Sequence, residues 1–124
     1  MINVNSHGEI FEVNVKGDID HCEMVELRNA ISEIIMEGNS KIVLTIKEVS
    51  HINYLSIGVL VERLKRIRNC GGDMKIVGMS CYLRNIFAVV GAEDFFDNYD
   101  TVEEAMSSFS SWQGSDPVAT GGRG

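Results

Sequence analysis

The sequence has few cysteines and histidines and no long apolar run. Its three cysteines include no C-x-x-C pair, and their odd count argues against a disulfide framework. The three histidines are scattered without the spacing of metal ligands. No apolar stretch approaches the roughly 20 residues that a membrane helix needs, and the first residues carry no basic segment followed by an apolar one. We therefore expect a cytoplasmic protein with reduced thiols, no bound metal and no membrane insertion.

Positive charge and enzyme signatures are also scarce. The chain carries 11 Lys and Arg against 18 Asp and Glu, a formal charge of −7 that repels phosphate backbones. It contains no G-x-G-x-x-G, no phosphate-binding G-x-x-x-x-G-K-[ST] and no G-x-S-x-G motif. Asp18 and Asp20 could be imagined as an acid–base pair, but a helix cap explains one of them better. We therefore predict no enzymatic activity, no cofactor and no nucleic-acid partner.

What the sequence does contain is a regular alternation of strand-like and helix-like periods. The segment 41–46 is a short, nearly continuous apolar run, which is typical of a strand covered on both faces, and 73–78 is interpreted as a further covered strand. A strand followed by repeated helix–strand units implies a mainly parallel sheet with right-handed crossovers. We predict an α/β domain with four to five strands, an antiparallel N-terminal strand and about four helices. The predicted strands span 2–5, 9–16, 41–46, 73–78 and 94–99, and the predicted helices span 22–37, 56–69, 81–90 and 102–112.

Capping residues mark the starts of predicted helices, and the end of the apolar period marks the end of the predicted domain. Asp20 with Glu23 has the spacing of a capping box, and Ser80 immediately precedes the third helix. Beyond residue 112 the apolar period stops, and the only proline and several glycines follow. We therefore predict one domain over residues 1–112 and a disordered tail over residues 113–124.

The second helix carries the only concentration of positive charge, the run RLKRIR over residues 63–68. This run is either a solvated helix face or a docking surface for an acidic partner. We favour the solvated face, because Glu62 stands four residues before Arg66 and can form an ordinary stabilising pair with it.

The segment 50–60, SHINYLSIGVL, leaves a buried parallel strand and enters the second helix. In open α/β sheets, ligands and partners tend to bind at this carboxyl edge of the strands. The start of the helix also presents unpaired backbone N–H groups and the positive end of its dipole. The sequence therefore predicts that the functional site lies at this loop.

Around this segment the chain resembles the STAS family, and specifically its anti-sigma factor antagonists. Family members read hydrophobic-Asp-Ser-Ser-Gly-Leu-Gly-Val-Leu at the loop and Gly-Glu/Asp-Leu-Asp before the first helix. The resemblance spans roughly residues 2–111, and its motifs occur in the order and spacing of the family. The matching segments are 17–20 (GDID), 57–60 (IGVL), 71–78 (GGDMKIVG), 83–87 (LRNIF), 90–91 (VG) and 103–105 (EEA).

At the loop itself, this sequence differs from the family pattern. In the family, the serine that follows the aspartate is phosphorylated by a kinase that also acts as the anti-sigma factor. Here Asn53 stands at the aspartate and Tyr54 at the phosphorylated serine, while Leu55 and Ser56 replace the second serine and the glycine. Tyr54 and Ser56 are therefore the phosphorylation candidates, although the N-cap of the second helix explains Ser56 better. The resemblance then implies a relative without the usual phosphoserine switch.

The resemblance implies a monomeric regulator that binds an anti-sigma factor/serine kinase of the ATP-binding type in a partner-switching pathway. A serine phosphatase is a further implied partner. The alternative is a structural STAS module in a larger assembly, such as a signalling scaffold or a lipid-transport accessory subunit. The predicted partner-binding residues lie at the two loops and the start of the second helix: Asp20, His21, Asn53, Tyr54, Leu55, Ser56, Ile57 and Gly58.

Overall fold

The polypeptide alternates strands and helices along its length. A computed structural model describes the backbone of residues 1–113 and the side chains through residue 109. A single turn of 3-10 helix, Glu93–Phe95, precedes the last strand. In chain order the elements are β1 (Ile2–His7), β2 (Ile10–Lys16), α1 (His21–Met36), β3 (Lys41–Glu48), α2 (Tyr54–Asn69), β4 (Asp73–Val77), α3 (Cys81–Val89), β5 (Asn98–Tyr99) and α4 (Val102–Gln113).

The five strands form one sheet in the order β1-β2-β3-β4-β5. β1 pairs antiparallel with β2 through a tight turn, and β2 to β5 are parallel to one another. Each parallel connection contains one helix, as a crossover between parallel strands requires. The predicted α/β fold is therefore confirmed for the described part of the chain, with five strands, an antiparallel N-terminal strand and four α-helices.

Helices cover both faces of the central strands. Successive side chains of a strand point to opposite faces, so Leu44 and Ile76 pack into the core beneath α1, α2 and α3. Val43 and Val77 point the other way and pack with Phe109 of α4. Burying an aliphatic side chain of this size contributes roughly 1.5–3 kcal/mol. Because each connection returns over the sheet, α1, α2 and α3 all begin at its carboxyl end.

Several predicted boundaries differ from the observed ones: β1 and β3 each end two residues later than predicted, and two further differences have a clear physical cause. α2 begins at Tyr54, two residues earlier than predicted, because Asn53 caps it. The segment predicted as a strand over 94–99 contains the 3-10 turn and only a two-residue strand, since Phe96 turns into the core and meets the Phe87 ring edge-on at 5.8 Å. α4 continues through Gln113, and the rest of the predicted disordered tail lies outside the described residues.

Buried polar contacts close the amino end of the sheet, where β4 begins. The amine of Lys75 is buried and donates to Asp73 at 3.0 Å and to Asp97 at 2.9 Å. Arg68, near the end of α2, donates to the same Asp73 carboxylate at 2.9 Å. Burial alone would lower the pKa of Lys75, but the hydrogen bond to Asp97 and the charge of Asp73 outweigh it and raise that pKa. Lys75 therefore stays charged at neutral pH, and its contacts join α2, β4 and the segment before β5.

Candidate functional site

Backbone hydrogen bonds join two loops at the carboxyl end of the sheet. Ile19 and Ile52, both buried, form an isolated parallel bridge. The Ile19 N–H donates to the His51 carbonyl at 2.9 Å, and the Asn53 N–H donates to the Ile19 carbonyl at 3.1 Å. The bridge therefore holds the loop before α1 beside the loop before α2, and it brings together the starts of both helices.

Side-chain caps begin both helices. Oδ1 of Asp20 accepts from the Glu23 N–H at 2.9 Å, which confirms the cap predicted for Asp20. Oδ1 of Asn53 accepts from the Leu55 N–H at 2.8 Å. The prediction that Ser56 caps α2 is wrong, because Ser56 is the third residue of the helix and its N–H donates to the Asn53 carbonyl at 2.9 Å. Asparagine caps helices about as well as serine, and here it stands at the position where the chain turns.

The first turn of α2 divides its side chains between solvent and core. Tyr54 is 56% exposed and Leu55 is 83% exposed. Gly58 is also exposed and lies one helical turn beyond them on the same side. Ser56 is 3% exposed, so a kinase could reach its hydroxyl only after this turn opened. The predicted partner-binding role of Ile57 needs correction, since its side chain is fully buried in the core and does not reach the surface.

A groove of about 420 Å³ opens between α1 and α2. It brings His21 together with three other predicted partner-binding residues, whereas Asp20 caps α1 outside the groove lining. The contribution of the second and third turns of α1 was not predicted. Helical spacing marks Val25 as a core residue, but the structure leaves it half-buried in the groove wall. The lining residues are His21, Met24, Val25 and Arg28 of α1 with Asn53, Leu55, Ser56 and Val59 of α2.

A histidine–tyrosine contact extends this surface toward α3. Nδ1 of His51, in the loop before α2, lies 3.0 Å from the hydroxyl oxygen of Tyr82. The two ring centroids are 5.9 Å apart, and Tyr82 is 55% exposed. Tyr82 was not predicted as a site residue, because nothing in the local pattern around residue 82 indicates contact with a loop 31 residues earlier.

The basic face of α2 forms ion pairs within the chain. Glu62 accepts from Arg66 at 3.0 Å and from Arg63 at 2.8 Å. Arg63 also donates to the Ser32 hydroxyl of α1 at 2.7 Å. The hydrogen bond from Arg66, with a further contribution from Arg63, lowers the pKa of the Glu62 carboxyl. The stabilising Glu62–Arg66 pair predicted from the sequence is confirmed.

Neither a cluster of metal ligands nor a membrane-spanning helix occurs in residues 1–113. No three His, Cys, Asp or Glu side chains in that range come together in a way that could hold a metal ion. None of the helices in the same range is both long enough and apolar enough to cross a bilayer. The three cysteines are exposed and form no disulfide.

The chain is similar to STAS domains and to proteins named as anti-sigma factor antagonists. The model of the STAS domain family matches residues 1–105. The chain is 26% identical over 96 residues to the anti-sigma-B factor antagonist of Bacillus subtilis, an alignment that covers 77% of this chain and 87% of the relative. It is 24% identical over 93 residues to the anti-sigma-B factor antagonist of Staphylococcus aureus, with 75% and 86% covered. The unphosphorylated form of the anti-sigma factor antagonist SpoIIAA has the same fold, with a TM-score of 0.79 at 18% identity over 90% of this chain and 97% of that one.

Proposed function

Because the chain belongs to the STAS domain family, we propose that it is an anti-sigma factor antagonist. In this role it binds an anti-sigma factor/serine kinase of the ATP-binding type and thereby frees a sigma factor. It acts as a cytoplasmic monomer and has no enzymatic activity of its own. Support comes from the two relatives named as anti-sigma-B factor antagonists, because the alignments cover 87% and 86% of their lengths.

The observation that carries the proposal is the exposure of Tyr54 and Leu55 at the start of α2. Their exposed fractions are 56% and 83%, and the Asn53 cap and the bridge between the two loops hold them in place. The burial of apolar surface is favourable, so a partner that covers these exposed side chains gains binding free energy. Aromatic side chains on a rigid support are also the type of residue that dominates binding at protein interfaces.

In this proposal the partner complex forms without a phosphoserine switch at the start of α2. A phosphate adds about −1.5 to −2 charges and disrupts a flat docking surface. Here Tyr54 occupies the position of the family's phosphorylated serine, and the nearest serine, Ser56, is buried. Intact-mass measurement after incubation with the partner kinase and ATP should therefore show no added phosphate, and a phosphate found on Ser56 would contradict this part of the proposal.

Alanine substitution of the two exposed side chains tests the proposed surface. Tyr54→Ala and Leu55→Ala should each weaken binding of the ATP-binding anti-sigma factor encoded in the same genome by about 1–2 kcal/mol, as loss of an interface anchor does. The measurement is calorimetric titration. Met36→Ala is the matched control, because Met36 is also 83% exposed but ends α1 at the opposite end of the sheet. Failure of the unaltered chain to bind would favour a structural STAS module in a larger assembly.

A further inference from the structure

The groove between α1 and α2 is an apolar surface next to the exposed start of α2. Met24 and Val25 line it from α1, and Leu55 and Val59 line it from α2. Its volume of about 420 Å³ leaves room for side chains of another molecule. Leu55 is more exposed than Tyr54 and also forms part of the groove wall, so the groove is continuous with the surface proposed to bind the partner.

Arg28, at one end of this groove, differs from the arginines of α2. Arg63 and Arg66 pair with Glu62, and Arg68 pairs with Asp73. The Arg28 side chain is exposed and forms no ion pair or hydrogen bond with any residue that the structure describes. The chain has seven more acidic than basic side chains, a net charge of −7. A cation left unpaired on such an acidic chain is available to an anionic group from outside.

We propose that the groove receives a short segment of the anti-sigma factor that combines an apolar side chain with a carboxylate. The apolar side chain packs between Val25 and Val59, and the carboxylate pairs with Arg28. This inference rests on the proposed function, and it extends the contact surface from the start of α2 to the outer side of α1. It also names the chemistry of the partner segment, which the proposed function leaves open.

The charge of Arg28 determines where along the groove the partner segment binds. The net negative charge of the chain disfavours carboxylates in general, so Arg28, the only Lys or Arg in the groove lining, selects where in the groove a carboxylate can lie. A guanidinium can also hold a carboxylate through two parallel hydrogen bonds, which orients the bound segment. Apolar anchors seated in a groove with a polar contact at its end are a recurring mode of peptide recognition. His21 and Arg28 lie seven residues apart in α1, so the groove lining spans about two turns, or about 10 Å, of that helix. The apolar side chains and the cation both lie within this length.

Charge reversal at Arg28 tests the inference. Calorimetric titration of the ATP-binding anti-sigma factor from the same genome should show binding weakened about tenfold or more by Arg28→Glu. Arg28→Lys should lose less, because the charge remains while the two-bond geometry is lost. Lys65→Glu is the matched control: it makes the same change in net charge at an exposed position of α2 outside the groove, and its affinity should stay within about twofold.

Salt dependence and thermal melts complete the design. The unaltered chain should lose affinity more steeply than Arg28→Gln as ionic strength rises from about 0.05 M to about 0.5 M. Melting temperatures of the Arg28 and Lys65 variants should stay within a few degrees of that of the unaltered chain, because both side chains are exposed and Lys65 contributes only one ring contact. Equal affinity of Arg28→Glu and Lys65→Glu, with Leu55→Ala still weakened, would overturn the groove inference and leave the proposed function standing. Absence of binding by the unaltered chain would instead overturn both.

Discussion

The amino end of the parallel sheet is closed by buried polar contacts, whereas the carboxyl end is open. At the amino end, the Lys75 and Asp73 side chains are 6% and 11% exposed and bond to each other and to further charged groups. At the carboxyl end, backbone bridges and helix caps hold the loops, and Tyr54, Leu55 and Tyr82 remain largely exposed. The same sheet therefore has one end specialised for packing and one that displays side chains.

This difference separates the residues that stabilise the fold from those proposed to bind a partner. A rigid scaffold lets loops at one edge carry exposed side chains without losing their positions. Substitutions at the amino end should therefore lower the free energy of unfolding and spare the binding surface. Substitutions at the carboxyl end should change affinity and have little effect on the fold.

The largest effect is expected from Gly72→Ala at the amino end. A Cβ atom at Gly72 would overlap the carbonyl oxygen of Ser40, so the backbone of one strand must move. That movement disturbs the hydrogen bond from the Asp73 N–H to the same carbonyl, now 2.9 Å long. We expect the free energy of unfolding to fall by about 3 kcal/mol or more. Urea denaturation measures this loss, and a change of less than about 1 kcal/mol would show that the two strands can separate easily.

A smaller loss is expected from Lys75→Met, which keeps the length of the side chain and removes its charge. Asp73 and Asp97 then face each other without the shared cation. Removing one member of a fully buried pair costs about 3–5 kcal/mol. We expect about 2 kcal/mol here, because the side chain of Asp97 is 53% exposed and water can solvate it. Lys65→Met is the control, since Lys65 lies exposed over the Phe95 ring.

The pH dependence of this loss follows from the raised pKa of Lys75. A lysine whose folded-state pKa lies above its unfolded value stabilises the fold fully at pH below the unfolded value and loses that contribution as pH rises through the folded one. The difference between the unaltered chain and Lys75→Met should therefore be constant from about pH 7 to 9. It should shrink only above the ordinary lysine pKa of 10.5. A difference that already shrinks below pH 9 would contradict the raised pKa.

Much of this architecture follows from local sequence periods, because each strand and helix must bury one face. The runs at 41–46 and 73–78 form β3 and β4. The start of α2 was misplaced because Asn53 and Ser56 are both good caps, and the choice between them depends on where the chain leaves the bridge at Ile52. The aromatic pair at 95–96 has strand propensity, but the burial of Phe96 overrides it.

The sequence predicted the loop before α2, but it did not predict the groove or the contact between His51 and Tyr82. The loop before α2 could be located because a strand-to-helix connection at the carboxyl edge is visible in the order of elements. The groove depends on how α1 and α2 pack, and the His51–Tyr82 contact joins residues 31 positions apart. Periodicity indicates which side of a helix is apolar, but it cannot show that Val25 remains half-buried beside Arg28. Contacts between distant elements need the assembled fold.

The smallest effect on stability is expected from Gly58→Ala at the carboxyl end. This substitution should stabilise the fold, whereas the two substitutions at the amino end should destabilise it. A Cβ atom at Gly58 meets no atom within 4 Å, so alanine fits without strain. Alanine in a helix interior is about 0.5–1 kcal/mol more favourable than glycine. We therefore expect the melting temperature to rise by about 2–5 °C. The same Gly→Ala change thus destabilises one end of the sheet and stabilises the other.

Binding should respond to Gly58→Ala in the opposite direction. Gly58 matches the glycine of the family pattern, yet the fold does not require it, since its surface is open and alanine would strengthen the helix. A bare backbone beside Leu55 allows a partner to approach the helix closely. The variant should therefore melt at a higher temperature and bind the anti-sigma factor about threefold or more weakly, as extra volume at a packed interface does. A more stable protein with unchanged affinity would place the closest partner contact elsewhere on α2, and a less stable one would contradict the open surface at Gly58.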